Sequence, residues 1–163
     1  MYQVETEIRD YLETALTSTA LKKYYVGRVP VEKLPVNYLP VLMVYGTNTR
    51  LVGDRLTTAR DKYVFTIKVE VVINTYKYVA SAGVDADQVL DAQKAVKQLM
   101  EERDSGMTPK STTVLGAIRD NVLGDKYLFS NEGEIEYEEE NINGTVYMRA
   151  TLTMNAVTRY NNR

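Results

Sequence analysis

The Asn143-Gly144 pair constrains the fold most, because it stands between two runs of alternating apolar and polar residues within residues 133–160. Both central positions of a type I′ turn need positive φ, which Asn and Gly tolerate best. A two-residue turn also fixes the strand register, and counting outward from it pairs Glu138 with Arg149. The other pairs predicted in this way are Ile142 with Thr145, Glu140 with Tyr147, Glu136 with Thr151, Ile135 with Leu152 and Tyr137 with Ala150. The sequence therefore predicts a long antiparallel hairpin with an apolar face and a face of glutamates.

Composition narrows the chemistry, since the 163 residues include neither cysteine nor histidine. Disulfides, thiolate nucleophiles, zinc-thiolate sites and imidazole bases are thereby excluded. An enzyme built from this chain would depend on carboxylate, lysine, hydroxyl or tyrosine groups, with or without a hard cation. The net charge of −2 argues against a protein that grips nucleic acid by neutralising phosphates. We expect one soluble domain, residues 1–163, made in the cytoplasm, with no cofactor, no bound metal and no membrane contact.

Three stretches show the spacing of amphipathic helices. Residues 2–17 place apolar side chains at intervals of three and four, residues 85–103 repeat the pattern, and a shorter helix is predicted over residues 113–123. In residues 85–103 acidic side chains lead and basic ones follow, as the helix dipole favours.

Strand patterns fill most of the remaining chain. Residues 62–76 alternate most regularly, and residues 39–45 form an almost wholly apolar run that we expect to be buried on both faces and to end at Gly46. Shorter strands are predicted in residues 21–29 and 127–129, with an extended, proline-rich connector at residues 30–40. Helices and strands are segregated along the chain, which indicates an α+β fold with a mostly antiparallel sheet, long strands and a C-terminal hairpin, packed by two to three helices.

Residues 46–62 show no clear periodicity. A connection of this length is unusual inside a compact domain and is commonly functional or mobile, although its second half could instead extend the next strand. Glycine spacing that would cradle a phosphate is missing, so the functional interpretation is a subunit or partner contact. The residues assigned to that contact are Arg50, Leu51, Asp54, Arg55 and Arg60.

The acidic run of residues 132–140 allows three interpretations. Alternate glutamates on a strand are about 7 Å apart, which suits neither a shared metal nor a coupled catalytic pair without partners from elsewhere. The first interpretation is a solvated sheet face on which Glu138 pairs with Arg149. The second is an acidic wall of Glu136, Glu138 and Glu140 that faces a lumen or a basic partner. The third is a carboxylate-dependent hydrolase or cation-binding protein.

Tyrosine outnumbers phenylalanine by 13 to 2, and tyrosine is suited to half-buried and interface positions. The sequence as a whole therefore favours an interaction module over an enzyme.

The order of these elements resembles the tail terminator, or tail completion, proteins of tailed bacteriophages. The resemblance lies in the amphipathic N-terminal helix, the proline-rich step into the apolar run at residues 39–45, the arginine-containing loop, the long strand of residues 61–74, the helix that begins near Asp85, and the closing hairpin. It covers nearly the whole chain and lies in element order and strand character. The helical insertion around residues 112–123 is longer than the family pattern, which leaves the exact position in the neck open.

The resemblance implies a non-enzymatic virion protein that forms a ring, typically a hexamer, at the phage neck. Such a ring caps the tail tube, joins it to the head connector and lets DNA pass through without specific binding. An acidic face of Glu136, Glu138 and Glu140 would suit the channel, and residues 46–61 would suit subunit or tube contact. A head-closure or connector adaptor of the same neck is the alternative within the virion.

Overall fold

The computed structural model describes residues 2–52, 62–75, 86–120, 127–129 and 134–158, and it has the expected α+β class. The described helices are α1 (Tyr2–Ala15), α2 (Ala86–Glu101) and α3 (Val114–Asp120). The strands are β1 (Lys23–Val26), β2 (Val41–Val52), β3 (Lys62–Asn74), β4 (Tyr127–Phe129), β5 (Glu134–Ile142) and β6 (Thr145–Thr158). No helix in these ranges is long and apolar enough to cross a membrane.

The strands form one sheet in the order β1, β2, β3, β6, with β4 and β5 both paired to β6. Because β3 occupies one side of β6, β4 and β5 lie end to end along its other side. Only β1 and β2 are parallel, and every other pairing is antiparallel. The sheet is therefore mostly antiparallel and is closed by the C-terminal hairpin, as the sequence predicts.

The Asn143-Gly144 turn has the chemistry that the sequence indicates. Asn143 has φ of 51° and Gly144 has φ of 83°, the two positive values that a type I′ turn needs. The Gly144 amide also donates to the side-chain oxygen of Asn141 at 3.1 Å. The resulting register places Glu138 opposite Arg149 and confirms every pair counted from the turn.

One face of the sheet, called here the helix face, carries the main core. Alternate residues of β3 pack there with the buried stripes of α1, α2 and α3. Tyr11 of α1 also donates its hydroxyl to the Ala117 carbonyl of α3 at 2.9 Å. The helices pack on this face because the apolar side chains that alternate along each strand are buried against the apolar stripes of the helices. The core residues of β3 are Phe65, Ile67, Val69, Val71 and Ile73.

The opposite face, called here the open face, is covered over part of its area by residues 27–40. That segment contains two short 3₁₀ turns, Val31–Lys33 and Val36–Tyr38, in place of a plainly extended connector. Its buried Val31 and Leu39 form a second apolar cluster. The sheet residues of that cluster are Val41, Met43, Val72 and Tyr147.

The expectation that β2 ends at Gly46 is wrong. The strand continues to Val52, with a register shift against β3 between Gly46 and Asn48. Gly46 accommodates this bulge, and its amide donates to the carboxylate of Glu5, a buried residue of α1. Residues 46–52, which we expected to be loop, therefore belong to a long hairpin with β3. The rest of that expected loop, residues 53–61, lies outside the described part of the chain.

Candidate functional site

Glu70 is the most unusual residue of the open face. It follows the alternation of β3 with Thr66 and Lys68, yet only 1% of its surface is exposed. A buried carboxylate is stable only when paired and hydrogen-bonded, because an isolated buried charge costs many kcal/mol. Its environment therefore has to supply partners.

Three side chains contact the Glu70 carboxylate, and a fourth contacts Arg149, the main partner of Glu70. Arg149 of β6, itself 5% exposed, donates from Nη1 to Glu70 Oε1 at 2.5 Å. Tyr45 of β2 donates its hydroxyl to Glu70 Oε2 at 2.7 Å, and Arg28 Nε lies 3.5 Å from the same oxygen. The second amino group of Arg149, Nη2, donates to Glu140 of β5. We call these five residues the ion cluster.

The ion cluster joins five separate segments of the chain. Its members come from the segment after β1 and from β2, β3, β5 and β6, and two arginines face two glutamates, so the formal charges balance. A cleft of about 230 Å³ beside it is lined by Arg28, Arg149, Glu140 and residues 29–32. Both oxygens of Glu70 already accept hydrogen bonds, which is the arrangement expected of a cluster that fixes the fold.

The cluster also affects Tyr45. Burial raises the pKa of the Tyr45 hydroxyl well above its ordinary value, and the hydrogen bond to the Glu70 carboxylate raises it further. A phenolate here would lose its donor hydrogen and face a carboxylate at 2.7 Å. Tyr45 is therefore held as a neutral donor.

A second acidic group lies along β5. Glu134, Glu136 and Glu138 alternate on the open face and are all exposed. We call these three residues the glutamate row. The sequence interpretation also placed Glu140 in this acidic face, and the alternation of β5 puts Glu140 on the open face. Glu140 is half-buried, however, and is paired with Arg149.

The expected ion pair between Glu138 and Arg149 is not what the register produces. Arg149 lies directly opposite Glu138, but its guanidinium contacts Glu70 and the diagonal neighbour Glu140. A long side chain can reach diagonal positions across a strand pair. Here the buried carboxylate of Glu70 holds the guanidinium, while Glu138 is exposed to solvent.

The helix face near β5 has a polar contact of its own. Tyr137 of β5 donates its hydroxyl to Glu101 of α2, and Lys97 Nζ lies 5.3 Å from the centre of the Tyr137 ring. Burial, followed by the hydrogen bond to Glu101, raises the pKa of Tyr137 above its ordinary value. A cleft of about 300 Å³ adjoins these residues and also contacts Gln93 and Glu139. This contact fixes β5 against α2.

Of the five residues assigned to a contact loop, two lie in β2 and three lie outside the described residues. Arg50 and Leu51 belong to β2, and Arg50 is exposed beyond the bulge. Asp54, Arg55 and Arg60 lie outside the described residues. Their role as a partner contact remains a prediction.

Sequence reasoning missed Glu70, Tyr45 and Arg28 as a cluster. One available signal was the position of Glu70 within an otherwise apolar run, Val69-Glu70-Val71-Val72. The other was the proline-rich segment that follows Arg28, which could cover a sheet face. Neither signal by itself identifies the pairing, because the partners are far apart in the chain.

The described residues contain no group of three or more acidic side chains placed to hold a metal ion. The ion cluster is internally satisfied except at Arg149 Nε, which is buried without a hydrogen-bond partner in the described ranges. In comparisons with known proteins, the chain matches no protein-family model and no curated protein. Its function has to be inferred from its own architecture and surface.

Proposed function

We propose that this chain is a structural virion protein of a tailed-phage neck, a ring-forming tail terminator that caps the tail tube and joins it to the head connector. The observation that carries the proposal is the arrangement of the sheet. All three described helices pack on one face, and the other face ends in an exposed glutamate row. The resemblance of element order to tail terminators supports the same function.

The acidic surface suits a channel that DNA crosses without being held. Glu134, Glu136 and Glu138 make no ion pair with another described residue, so their charge is available to repel phosphate. DNA-binding proteins do the opposite and neutralise phosphates with lysine and arginine. In the proposed ring the open face of each copy turns toward the lumen.

The ring also needs contacts with the tube and the head. The hairpin of β2 and β3 extends beyond β1 at one end of the sheet, since β2 continues to Val52 while β1 pairs only with residues 41–44. It carries Arg50 and leads into the arginine-containing residues 53–61. We assign tube or neighbour contact to this end of the molecule.

Tube termination gives the direct test. The purified chain is added to growing tail-tube protein of the same virion, and tube lengths are measured by electron microscopy. We expect shorter tubes whose growing ends carry a ring. Unchanged tube growth at saturating protein would overturn the proposal.

The lumen assignment has a separate test with a matched control. Glu136→Lys/Glu138→Lys, assayed at protein concentrations at which the variant still assembles, should give the ring measurable affinity for duplex DNA at physiological salt, read by fluorescence anisotropy. Asp10→Lys/Asp91→Lys makes the same change of charge on the helices, where the two side chains are 58% and 66% exposed. Equal DNA binding by both variants would contradict a lumen lined by the glutamate row.

A further inference from the structure

Two edges of the sheet are open among the described strands. β5 pairs only with β6, and β1 pairs only with β2. In a type I′ turn the carbonyl of Ile142 accepts from the Thr145 amide, which makes their pair a hydrogen-bonded one. Hydrogen-bonded and non-bonded pairs alternate along the hairpin, so the backbone groups of Tyr137 and Glu139 point away from β6. An open edge of this kind is a template for pairing with another strand.

The two edges carry opposite charge. The outermost side chains of the open face on β5 are the glutamate row, and all three are exposed. On the other edge, Lys23 lies on the open face and is also exposed, with its Nζ 5.1 Å from the centre of the Tyr38 ring. Pairing β5 with a second β5 would set glutamate against glutamate, whereas β1 of a second copy would bring Lys23 to the glutamate row. Like charges directly opposite each other destabilise a strand pair, so the charges favour contact between unlike edges.

Direction and register fit the same contact. β1 runs parallel to β2 and to β6, and β5 runs antiparallel to them. Side by side, β5 of one copy and β1 of another copy in the same orientation are therefore antiparallel. Lys23 and Glu138 also stand at the same level on the same face, joined across the sheet by the row Lys23, Val41, Val72, Arg149 and Glu138.

Because glutamates occupy alternate positions of β5, the contact with Lys23 is kept when the register between the two strands shifts by two residues. Closed sheets need a shift in register between their parts, and a shift of two residues keeps each side chain on its face. Such a shift moves Lys23 from Glu138 to Glu136, and a further one to Glu134. Lys23 therefore faces one carboxylate in each of these registers, and the other two glutamates of the row stay unpaired toward the lumen.

We propose that the β5 edge of one copy pairs with the β1 edge of the next, extending one antiparallel sheet from subunit to subunit. The contact is heterologous, so repetition of it produces a ring when the rotation closes. It rests on the proposed function, for which it supplies the subunit interface. Lys23 and the glutamate row set which edges meet, and the free backbone groups of β5 supply the hydrogen bonds.

A proline placed in β5 tests the backbone part. Glu139→Pro removes an amide that points away from β6, which an edge strand tolerates. We expect it to abolish self-association measured by light scattering of the full chain up to millimolar concentration, with an unchanged circular dichroism spectrum. Glu139→Ala keeps the amide and should associate as the unmodified chain does. Equal association of the two variants overturns the inference.

Charge exchange tests the choice of edges. Lys23→Glu and Glu136→Lys/Glu138→Lys should each weaken association about tenfold or more, the effect of roughly 1.4 kcal/mol per tenfold step. Mixed in equal amounts, the two variants pair lysine with glutamate at every interface of an even-numbered ring, and association should return. A mixture as weak as its components contradicts the proposed contact.

Failure of this inference is distinguishable from failure of the proposed function. Rings that form and terminate tubes with Glu139→Pro leave the function standing and place the interface elsewhere. Rings that require the β5 edge but never affect tube growth support the interface and overturn the function. A chain that remains monomeric throughout the concentration series overturns the interface.

Discussion

Glu70 and Glu136 occupy the same row of the same sheet face, separated only by Thr151, yet their surroundings are opposite. Glu70 is 1% exposed and bonded to Arg149 and Tyr45, while Glu136 is exposed at the edge of the sheet. Residues 27–40 cover the open face over the first region and leave the second uncovered. The comparison shows that the position of a glutamate on its strand decides which face of the sheet it lies on. Whether other residues bury that glutamate then decides whether its charge stabilises the fold or is available to a partner.

The largest expected loss of unfolding free energy comes from removing Arg149, the buried partner of Glu70. Arg149→Met leaves Glu70 buried without its main partner, and breaking a buried pair in this way costs about 3–5 kcal/mol of unfolding free energy. Urea unfolding followed by circular dichroism measures the loss. Lys68→Met is the matched control, because it removes a half-buried cation of the same face and strand as Glu70. We expect that change to be within about 0.5 kcal/mol.

A double variant tests the same prediction. Glu70→Met/Arg149→Met replaces both charges with apolar side chains, and such replacements are often neutral or stabilising. It should recover most of the stability that the single substitution loses. A single substitution that costs less than about 1 kcal/mol would show that water reaches Glu70 and that the two regions differ less than their exposure indicates.

A smaller effect is expected at Tyr45, which also tests pH dependence. Tyr45→Phe removes one hydrogen bond to a charged group, and because Tyr45 is only half-buried we expect a loss of about 1–2 kcal/mol near neutral pH. The pKa of Tyr45 is raised in the folded chain by burial and by Glu70. Its contribution is therefore fully present below about pH 10, the ordinary tyrosine value, and is lost as the pH rises through the folded pKa.

The measurement is the unfolding free energy of both chains between neutral pH and the alkaline range. The difference between the unmodified chain and Tyr45→Phe should shrink above about pH 10. Tyr2→Phe is the control, since Tyr2 is 74% exposed and makes no contact with the ion cluster. A difference that grows with pH would mean that Tyr45 ionises more readily in the folded chain than in the unfolded one.

The turn that sets the register should have a smaller effect again. Gly144 has φ of 83°, where a β-carbon costs about 1 kcal/mol, so Gly144→Ala should lower stability by that amount. Gly144→Asn should cost less, because asparagine tolerates positive φ. Thermal unfolding of both variants checks this order. Equal losses would show that the backbone conformation of residue 144 is not the source of the cost.

The parts of the fold that depend on local pattern are the parts that sequence predicts well. The hairpin register follows from Asn143-Gly144 and from period-two alternation, and the structure confirms it pair by pair. The helices follow from apolar stripes in the same way. These patterns are contained within one stretch of chain, so no knowledge of distant partners is needed.

The parts that depend on distant contacts were not predictable. Glu70 and Arg149 are 79 positions apart, and only the fold brings Arg28 and Tyr45 to the same carboxylate. The strand pattern groups Glu140 with Glu136 and Glu138, because it is identical for all three residues. The extension of β2 past Gly46 was missed for a similar reason, since the bulge is stabilised by pairing with β3 and by Glu5 of a separate helix.

The smallest expected effect lies in the exposed region and completes the comparison. Glu136→Gln/Glu138→Gln removes two charges that make no ion pair with another described residue, so unfolding free energy should change by less than about 0.5 kcal/mol. Glu70→Gln removes one charge of identical chemistry and leaves Arg149 buried with only Glu140, so its loss should be several times larger. Urea unfolding of the three chains gives both values in one experiment. A loss from the double variant as large as that from Glu70→Gln would mean that the glutamate row also stabilises the monomer, and its assignment to a surface that meets neighbours or DNA would then lose its basis.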